Sequence, residues 1–235
     1  MIQYSSFGAF VINIDQTLLF SFISQKHAVN YLLNLSGQND ISSEKMNLVM
    51  GLNVPQRIEY MQKNLRLNIE FEHAEKIYSK IIIEAKEKFL DSVYKGSKIL
   101  INNIKKHNIS IVLLTRAPQI ETKYNIITLE KEIGNHFYDQ LIELETFENS
   151  SHIIPNHYLM EDVLSKLGNV NKIAYIGNST SDFQLVMNSR EKIDKTFFYI
   201  HVGNTTNYQN LENPLKHNVD LVCNNVNDLI KKHLE

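Results

Sequence analysis

Ala9-Phe10-Val11-Ile12-Asn13-Ile14-Asp15-Gln16-Thr17-Leu18 is the stretch that decides how this chain is read. An apolar run of strand length stops abruptly in small polar side chains. A strand apolar on both faces belongs in the middle of a parallel sheet, covered by helices on each side. Such sheets carry their chemistry just past the carboxyl ends of the strands. That point falls on Asn13, Asp15 and Thr17. Alternation along a continuing strand places Asn13 and Asp15 on one side of the chain. A strand running into an ordinary polar turn accounts equally well for this stretch taken alone.

Downstream of Thr17 the apolar period lengthens. Phe22, Val29, Leu32, Leu33 and Leu35 predict an amphipathic helix ending near Gly37. Ser42-Ser43-Glu44-Lys45 starts a short second helix, and Pro55 starts a third through Ile58, Met61 and Leu65. Phe71 to Leu90 carries the longest stripe, with Ala74, Ile77, Tyr78, Ile81, Ala85 and Phe89. Its charges at Glu72, Lys76, Lys80, Glu84 and Lys88 read as a solvated face. No strand pattern interrupts residues 20–92, and Tyr94-Lys95-Gly96 reads as a hinge or re-entry turn. Helices over 97–107 and 119–132 then alternate with strands at Ile109–Leu114 and Leu141–Leu144. Pro155 opens a helix to Leu167. Strands follow at Lys172–Ile176, Thr196–Val202 and Val219–Cys223, with helices at Phe183–Met187 and Val226–Leu234. The expected fold class is α/β, a Rossmann-like parallel sheet with right-handed crossovers. Residues 1–18 and 93–235 form its core, and 19–92 form an inserted all-helical cap.

Composition narrows the function. The 235 residues are 43% hydrophobic and carry a formal net charge of -2. That balance offers no bulk charge for nucleic acid or a membrane surface. The single cysteine, Cys223, excludes an intramolecular disulfide and reads as a small core residue. No signal-peptide pattern and no membrane-length apolar run is found, so a cytoplasmic protein is expected.

Three strand ends carry polar residues: Asn13/Asp15/Thr17, Thr115, and Asn178/Asp182. In this order, with a helical insertion directly after the first, the chain resembles the haloacid dehalogenase superfamily of phosphohydrolases. The insertion resembles the helical cap of the phosphoglycolate phosphatase and β-phosphoglucomutase branch. His152-Ile153-Ile154-Pro155 lies where that family has its lysine-proline-x-proline segment. The resemblance implies an Asp-x-Asp-Gly-Thr motif whose first aspartate attacks phosphorus, while the second protonates the leaving group and then activates water. It further implies a strand-end Ser/Thr and a lysine on the phosphoryl oxygens, and a Gly-Asp-x-x-x-Asp motif whose acids bind Mg2+.

The chain departs from that pattern at Asn13 for the nucleophile, Gln16 for the glycine, His152 for the lysine and Asn178 for the first metal acid. Asp15, Thr17, Thr115, Gly177 and Asp182 are kept. An amide has no anionic oxygen for attack, and losing a covalent nucleophile costs about 10⁴–10⁶ in turnover. Neutral amide oxygens weaken any magnesium site built on Asn13, Asp15, Asn178 and Asp182. The reading is therefore a phosphatase-fold protein of impaired catalysis that binds a phosphorylated small molecule or a protein partner. Thr17, Thr115, Arg116 and His152 are its candidate phosphate contacts, with a nest of amides over Ile14–Thr17. The alternative is a working Mg2+-dependent phosphatase, with Asp15 as general base or Asn13 deamidated to aspartate. Asp182, at a helix start, is as readily a cap as a ligand. Phe20, Phe22, His27, Gly51 and Arg57 are candidate pocket residues, or ordinary packing.

Overall fold

The computed structural model describes residues 3–50, 52–143, 156–203 and 218–233. After a 3-10 turn (Tyr4–Ser6), β1 (Ala9–Asn13) enters the core. β2 (Leu19–Phe20) leads to four helices, α1 (Phe22–Leu35), α2 (Ser43–Met50), α3 (Val54–Leu65) and α4 (Phe71–Phe89), and β3 (Ser92–Val93) leads back. The remainder runs α5 (Lys95–Lys106), β4 (Ser110–Thr115), α6 (Gln119–Ile133), β5 (Gln140–Glu143), α7 (Tyr158–Leu167) and β6 (Lys172–Gly177). It closes with α8 (Thr180–Lys192), β7 (Thr196–Val202), β8 (Leu221–Cys223) and α9 (Val226–His233). His152, Pro155 and Gly51 lie outside the described residues.

The main sheet has the order β5-β4-β1-β6-β7-β8, and every pairing in it is parallel. Alternation sorts its side chains onto two faces. Phe10 and Ile12 of β1, Ile111 and Leu113 of β4, and Ala174 and Ile176 of β6 pack with α5, α6 and α9. Val11, Val112, Leu114, Ile173 and Tyr175 pack on the opposite face with α7 and α8. This is the α/β fold expected from the buried strand runs. β1 sits at the centre, so its carboxyl end opens where the chain crosses from one side of the sheet to the other.

Helices α1–α4 bury a core of their own, including Ala28, Val29, Leu32, Met46, Ile58, Met61, Tyr78 and Ile82. The strandless reading of 20–92 is corrected at its margins. Leu19 pairs with Val93 and Phe20 with Ser92, in an antiparallel ribbon through which both connections pass. Two-residue strands are too short to leave an alternating pattern. Of hinge and re-entry turn, the structure has the chain return to the core at Tyr94, with Gly96 in the first turn of α5. A Cβ there would meet the Asn227 backbone and the Val226 oxygen at 2.8 Å, so glycine is what lets α5 and α9 pack closely. The ribbon is tied to the core by Tyr94 N–H and Ser97 Oγ, which donate to the Leu18 carbonyl at 3.1 and 2.8 Å.

Candidate active site

β1 ends at Asn13, and a tight turn follows. Thr17 N–H donates to Ile14 O at 3.3 Å and Gln16 N–H to Leu19 O at 2.7 Å. Gln16 occupies the glycine position of the family motif with φ 58°. A non-glycine residue in this left-handed region costs about 1 kcal/mol. Its side chain gives a return on that strain: with the amide oxygen facing α1, it accepts from Phe22 N–H at 2.7 Å and Ser21 N–H at 2.9 Å. Helix α1, whose N-cap Ser21 makes no side-chain cap, thus has its first amides satisfied by Gln16.

The turn separates the two motif residues that a continuing strand would have kept together. Asn13 faces the end of β6 and the start of α8. Its Nδ2 lies 3.2 and 3.4 Å from the two oxygens of Asp182 and 3.5 Å from Asn178 Oδ1. An ionised carboxylate only accepts, so the amide must present its NH2 group to Asp182. Asp15 faces the opposite way, toward α1, α4 and α6. Ser21 Oγ donates to it at 2.6 Å, and Gln25 Nε2 and Asn125 Nδ2 at 3.2 Å. Lys86 Nζ lies 4.0 Å from it.

Asp182 is fully buried. Beyond Asn13, its Oδ1 accepts from Tyr175 Oη at 2.9 Å, and its Oδ2 from Ser179 Oγ at 2.6 Å, Ser179 N–H at 3.0 Å and Asn178 N–H at 3.1 Å. Ser179 Oγ accepts in turn from Asp182 N–H, which completes a capping box on α8. Gly177 permits this approach, since a Cβ there would sit 2.7 Å from Asp182 Cβ. Arg116 Nη2 donates to Ser179 Oγ at 2.8 Å and stands 3.8 Å from Asp182 Oδ1. Behind the carboxylate, Tyr175 and Tyr199 are held in the neutral phenol form, first by burial and then by the Asp182 charge. Burial likewise pushes His201 down to about 4, so this ring adds no cation near pH 7.

A cavity of about 40 Å³ lies between these groups and the cap, lined by Asn13, Asp15, Thr115, Arg116, Arg57 and Asn178 among others. Arg57 reaches it from α3, donating to Leu52 O at 3.1 Å and to Tyr78 Oη, with its Nε buried and without a partner among the described residues. Thr115 Oγ1 accepts from Ala117 N–H at 3.1 Å, which leaves its hydroxyl hydrogen to donate.

Several expectations are corrected here. Thr17 does not line the cavity: it is fully buried, and its Oγ1 has no partner among the described residues. The amide nest over Ile14–Thr17 is half closed, because Gln16 and Thr17 N–H are spent inside the turn. Asp182 does not face the cavity either, and its oxygens are taken up as described. No group of three acidic, histidine or cysteine side chains placed to hold a metal exists among the described residues. The side chains of Asp15 and Asp182 turn to opposite sides, while Asn13, Asp15 and Asn178 all line the cavity. His27 stacks edge-on against Phe89, while Phe20 and Phe22 line an adjoining cleft of about 380 Å³ with Tyr94 and Asn224, which shares Gln16, Met50 and Asn178 with the cavity.

The sequence reading missed Lys86. It is fully buried, 2.7 Å from Asp91, 3.2 Å from Glu121 and 2.9 Å from Asn125 Oδ1. A signal was present: Lys86 follows Tyr78 and Ile82 at four-residue spacing, inside the apolar stripe of α4. Desolvation works against its charge, but Glu121, Asp15 and Asp91 together outweigh that and raise its pKa.

The profile of haloacid dehalogenase-like hydrolases matches residues 11–190. This chain belongs to that family. No curated protein sequence matches it. Among solved structures, it superposes on CbbY from Rhodobacter sphaeroides in complex with phosphate with a TM-score of 0.74 at 12% identity, covering 95% of this chain and 96% of that one. β-Phosphoglucomutase from Clostridium difficile gives 0.70 at 16% identity, covering 95% and 93%. A predicted phosphoglycolate phosphatase from Haemophilus somnus gives 0.69 at 15%, covering 96% and 97%. At such identities the likeness establishes the haloacid dehalogenase fold. Family members typically use Mg2+. No helix among the described residues is long and apolar enough to cross a membrane.

Proposed function

We propose that this haloacid dehalogenase-fold chain binds a phosphorylated small molecule between its core and cap without forming an aspartyl-phosphate. The observation that carries the reading is the Asn13 amide, turned to Asp182 at 3.2 Å. One of the two carboxylate oxygens of the family nucleophile is replaced by a nitrogen committed as a donor to Asp182. Asn13 Nδ2 has no lone pair to offer, because it is conjugated with the carbonyl. Its Oδ1 is neutral and a weak nucleophile. What the cleft retains is the Thr115 hydroxyl hydrogen, a donor suited to an oxygen of a phosphate group.

The cavity of about 40 Å³ shares Gln16, Met50 and Asn178 with the adjoining cleft of about 380 Å³. A ligand enters from that cleft, and any parting of cap and core is taken up at the Leu19–Phe20 and Ser92–Val93 ribbon. The likeness to phosphate-ester enzymes supports phosphorylated compounds as the ligand class. A panel of phosphate esters with Mg2+ tests the reading. The expected result is stabilisation of the protein by one or more esters, with release of inorganic phosphate at the background rate. Robust turnover by the unmodified chain overturns it. Peptide mass analysis separates one route to turnover: a gain of about 1 Da at Asn13 marks deamidation to the acid nucleophile.

A further inference from the structure

We infer that the cleft of about 380 Å³ beside the cavity receives a nucleobase, so that the phosphorylated ligand of this chain is a nucleoside monophosphate. This rests on the phosphate-binding reading above and goes beyond it in naming the organic part of the ligand. The cleft adjoins the cavity at Gln16, Met50 and Asn178, so one molecule can place its phosphate by Thr115 and its ring in the cleft. Its size lies within the range of about 300–1,000 Å³ common for small-ligand pockets.

Three aromatic side chains line the cleft: Phe20 from β2, Phe22 from the start of α1 and Tyr94 from the return to the core. All three are half-buried. Phe22 packs against the cap core and Tyr94 against the sheet core, and Phe20 meets Tyr94 edge to face with centroids 6.1 Å apart. The rings are thus anchored while keeping surface on which a further ring can stack. Amides supply the hydrogen bonds. Asn178 Oδ1 accepts from Asn13 Nδ2 at 3.5 Å, which leaves the Asn178 NH2 group to donate. Asn224 Nδ2 donates to Asp228 at 3.4 Å, which leaves its Oδ1 to accept. The Asn47 side chain makes no hydrogen bond among the described residues and offers both functions.

No charged side chain is among the described residues that line this cleft, and burial pushes the Tyr94 hydroxyl up to about 12, which keeps it neutral. A ligand carboxylate or ammonium would be desolvated there without a countercharge. A nucleobase is uncharged near pH 7. It presents flat faces to aromatic rings and an edge of donors and acceptors to amides. A sugar ring alone has hydroxyls for the amides but no π face for the rings. A single nucleotide also needs no basic track, in keeping with a net charge of -2.

Calorimetric titration of the full chain compares AMP, GMP, CMP and UMP with ribose 5-phosphate, which lacks the base, and with phosphoglycolate, which carries a carboxylate instead. At least one nucleotide should bind roughly tenfold tighter than either, the scale of one base stacked on an aromatic side chain. Tyr94→Leu and Asn47→Ala should each lose several-fold more affinity for that nucleotide than for ribose 5-phosphate. Ribose 5-phosphate or phosphoglycolate binding as tightly as the best nucleotide, or both variants binding nucleotide like the parent, overturns the assignment of the cleft and leaves the phosphate-binding reading standing. Binding of neither inorganic phosphate nor any ester defeats that reading and this inference together. If Tyr94→Leu fails to fold, Asn47→Ala and the comparison with ribose 5-phosphate still decide.

Discussion

Replacing Lys86 by methionine removes one positive charge from a site where three carboxylates converge. Asp91 and Glu121 approach Nζ at 2.7 and 3.2 Å, and both side chains are 2% exposed. At an effective dielectric of about 20, these two pairs are worth about 6 and 5 kcal/mol in gross Coulomb energy. Most of that is offset by desolvation of the ions. The variant loses the attraction while keeping the burial, and its escape is protonation. Taking a carboxyl of ordinary pKa about 4.3 to its neutral form near pH 7 costs about 3.7 kcal/mol. One stranded carboxyl therefore sets a loss of about 3–5 kcal/mol, in the range found when one partner of a buried pair is removed.

The same reasoning fixes the pH dependence. Burial already raises the pKa of Glu121, ahead of the opposing effect of Lys86. A carboxyl that binds its proton more tightly in the folded state makes stability fall as pH rises above its unfolded value. Without Lys86 this fall becomes steeper. Near pH 5 the protonation cost is about 1 kcal/mol, so most of the deficit should disappear there. In the parent, the raised pKa of Lys86 keeps its contribution complete up to its unfolded value of about 10.4, to be lost only above it. The sequence has no tryptophan, so urea unfolding is followed by far-UV circular dichroism. A deficit below about 1 kcal/mol near pH 7, or one equal at both pH values, refutes the argument.

Three further outcomes follow from packing and burial. Gly96→Ala forces a Cβ to within 2.8 Å of the Asn227 backbone and should cost about 1–3 kcal/mol, and an unchanged denaturation midpoint would contradict the close packing of α5 on α9. Thr17→Val removes a buried hydroxyl with no partner and should stabilise by about 1 kcal/mol without altering phosphate affinity; reduced affinity would return Thr17 to the site. Burial pushes the Cys223 thiol up to about 12, so at pH 8 it should resist a thiol reagent until urea is added, and rapid labelling of the folded protein would disprove its burial.

Much of the site was visible as residue types. Asn13 and Asn178 stand at strand ends that the apolar runs of β1 and β6 make plain, because buried parallel strands leave continuous apolar sequence. The double meaning of Asp182 was also legible, since Ser179 and Asp182 have the spacing of a capping box, and the cap is what the structure shows. Less of the cap–core seam could be read. Lys86 has the helical spacing of a buried residue but the chemistry of an exposed one. Of its carboxylate partners, Asp91 lies only five residues on, but Glu121 comes from α6.

The sequence by itself determined the layers: strand runs apolar on both faces demand helices on both sides, and a long helical stretch after β1 demands a core of its own. Those are consequences of burying apolar area, which local patterns record. Only the tertiary structure decided where the polar groups point. The strand ends at Asn13, which turns toward α8, while Asp15 turns toward the cap, and the fold gives each a different partner. Asn13 meets Asp182 across 169 positions, and Lys86 meets Asp15 and Glu121 from other elements of the fold, which no local pattern encodes.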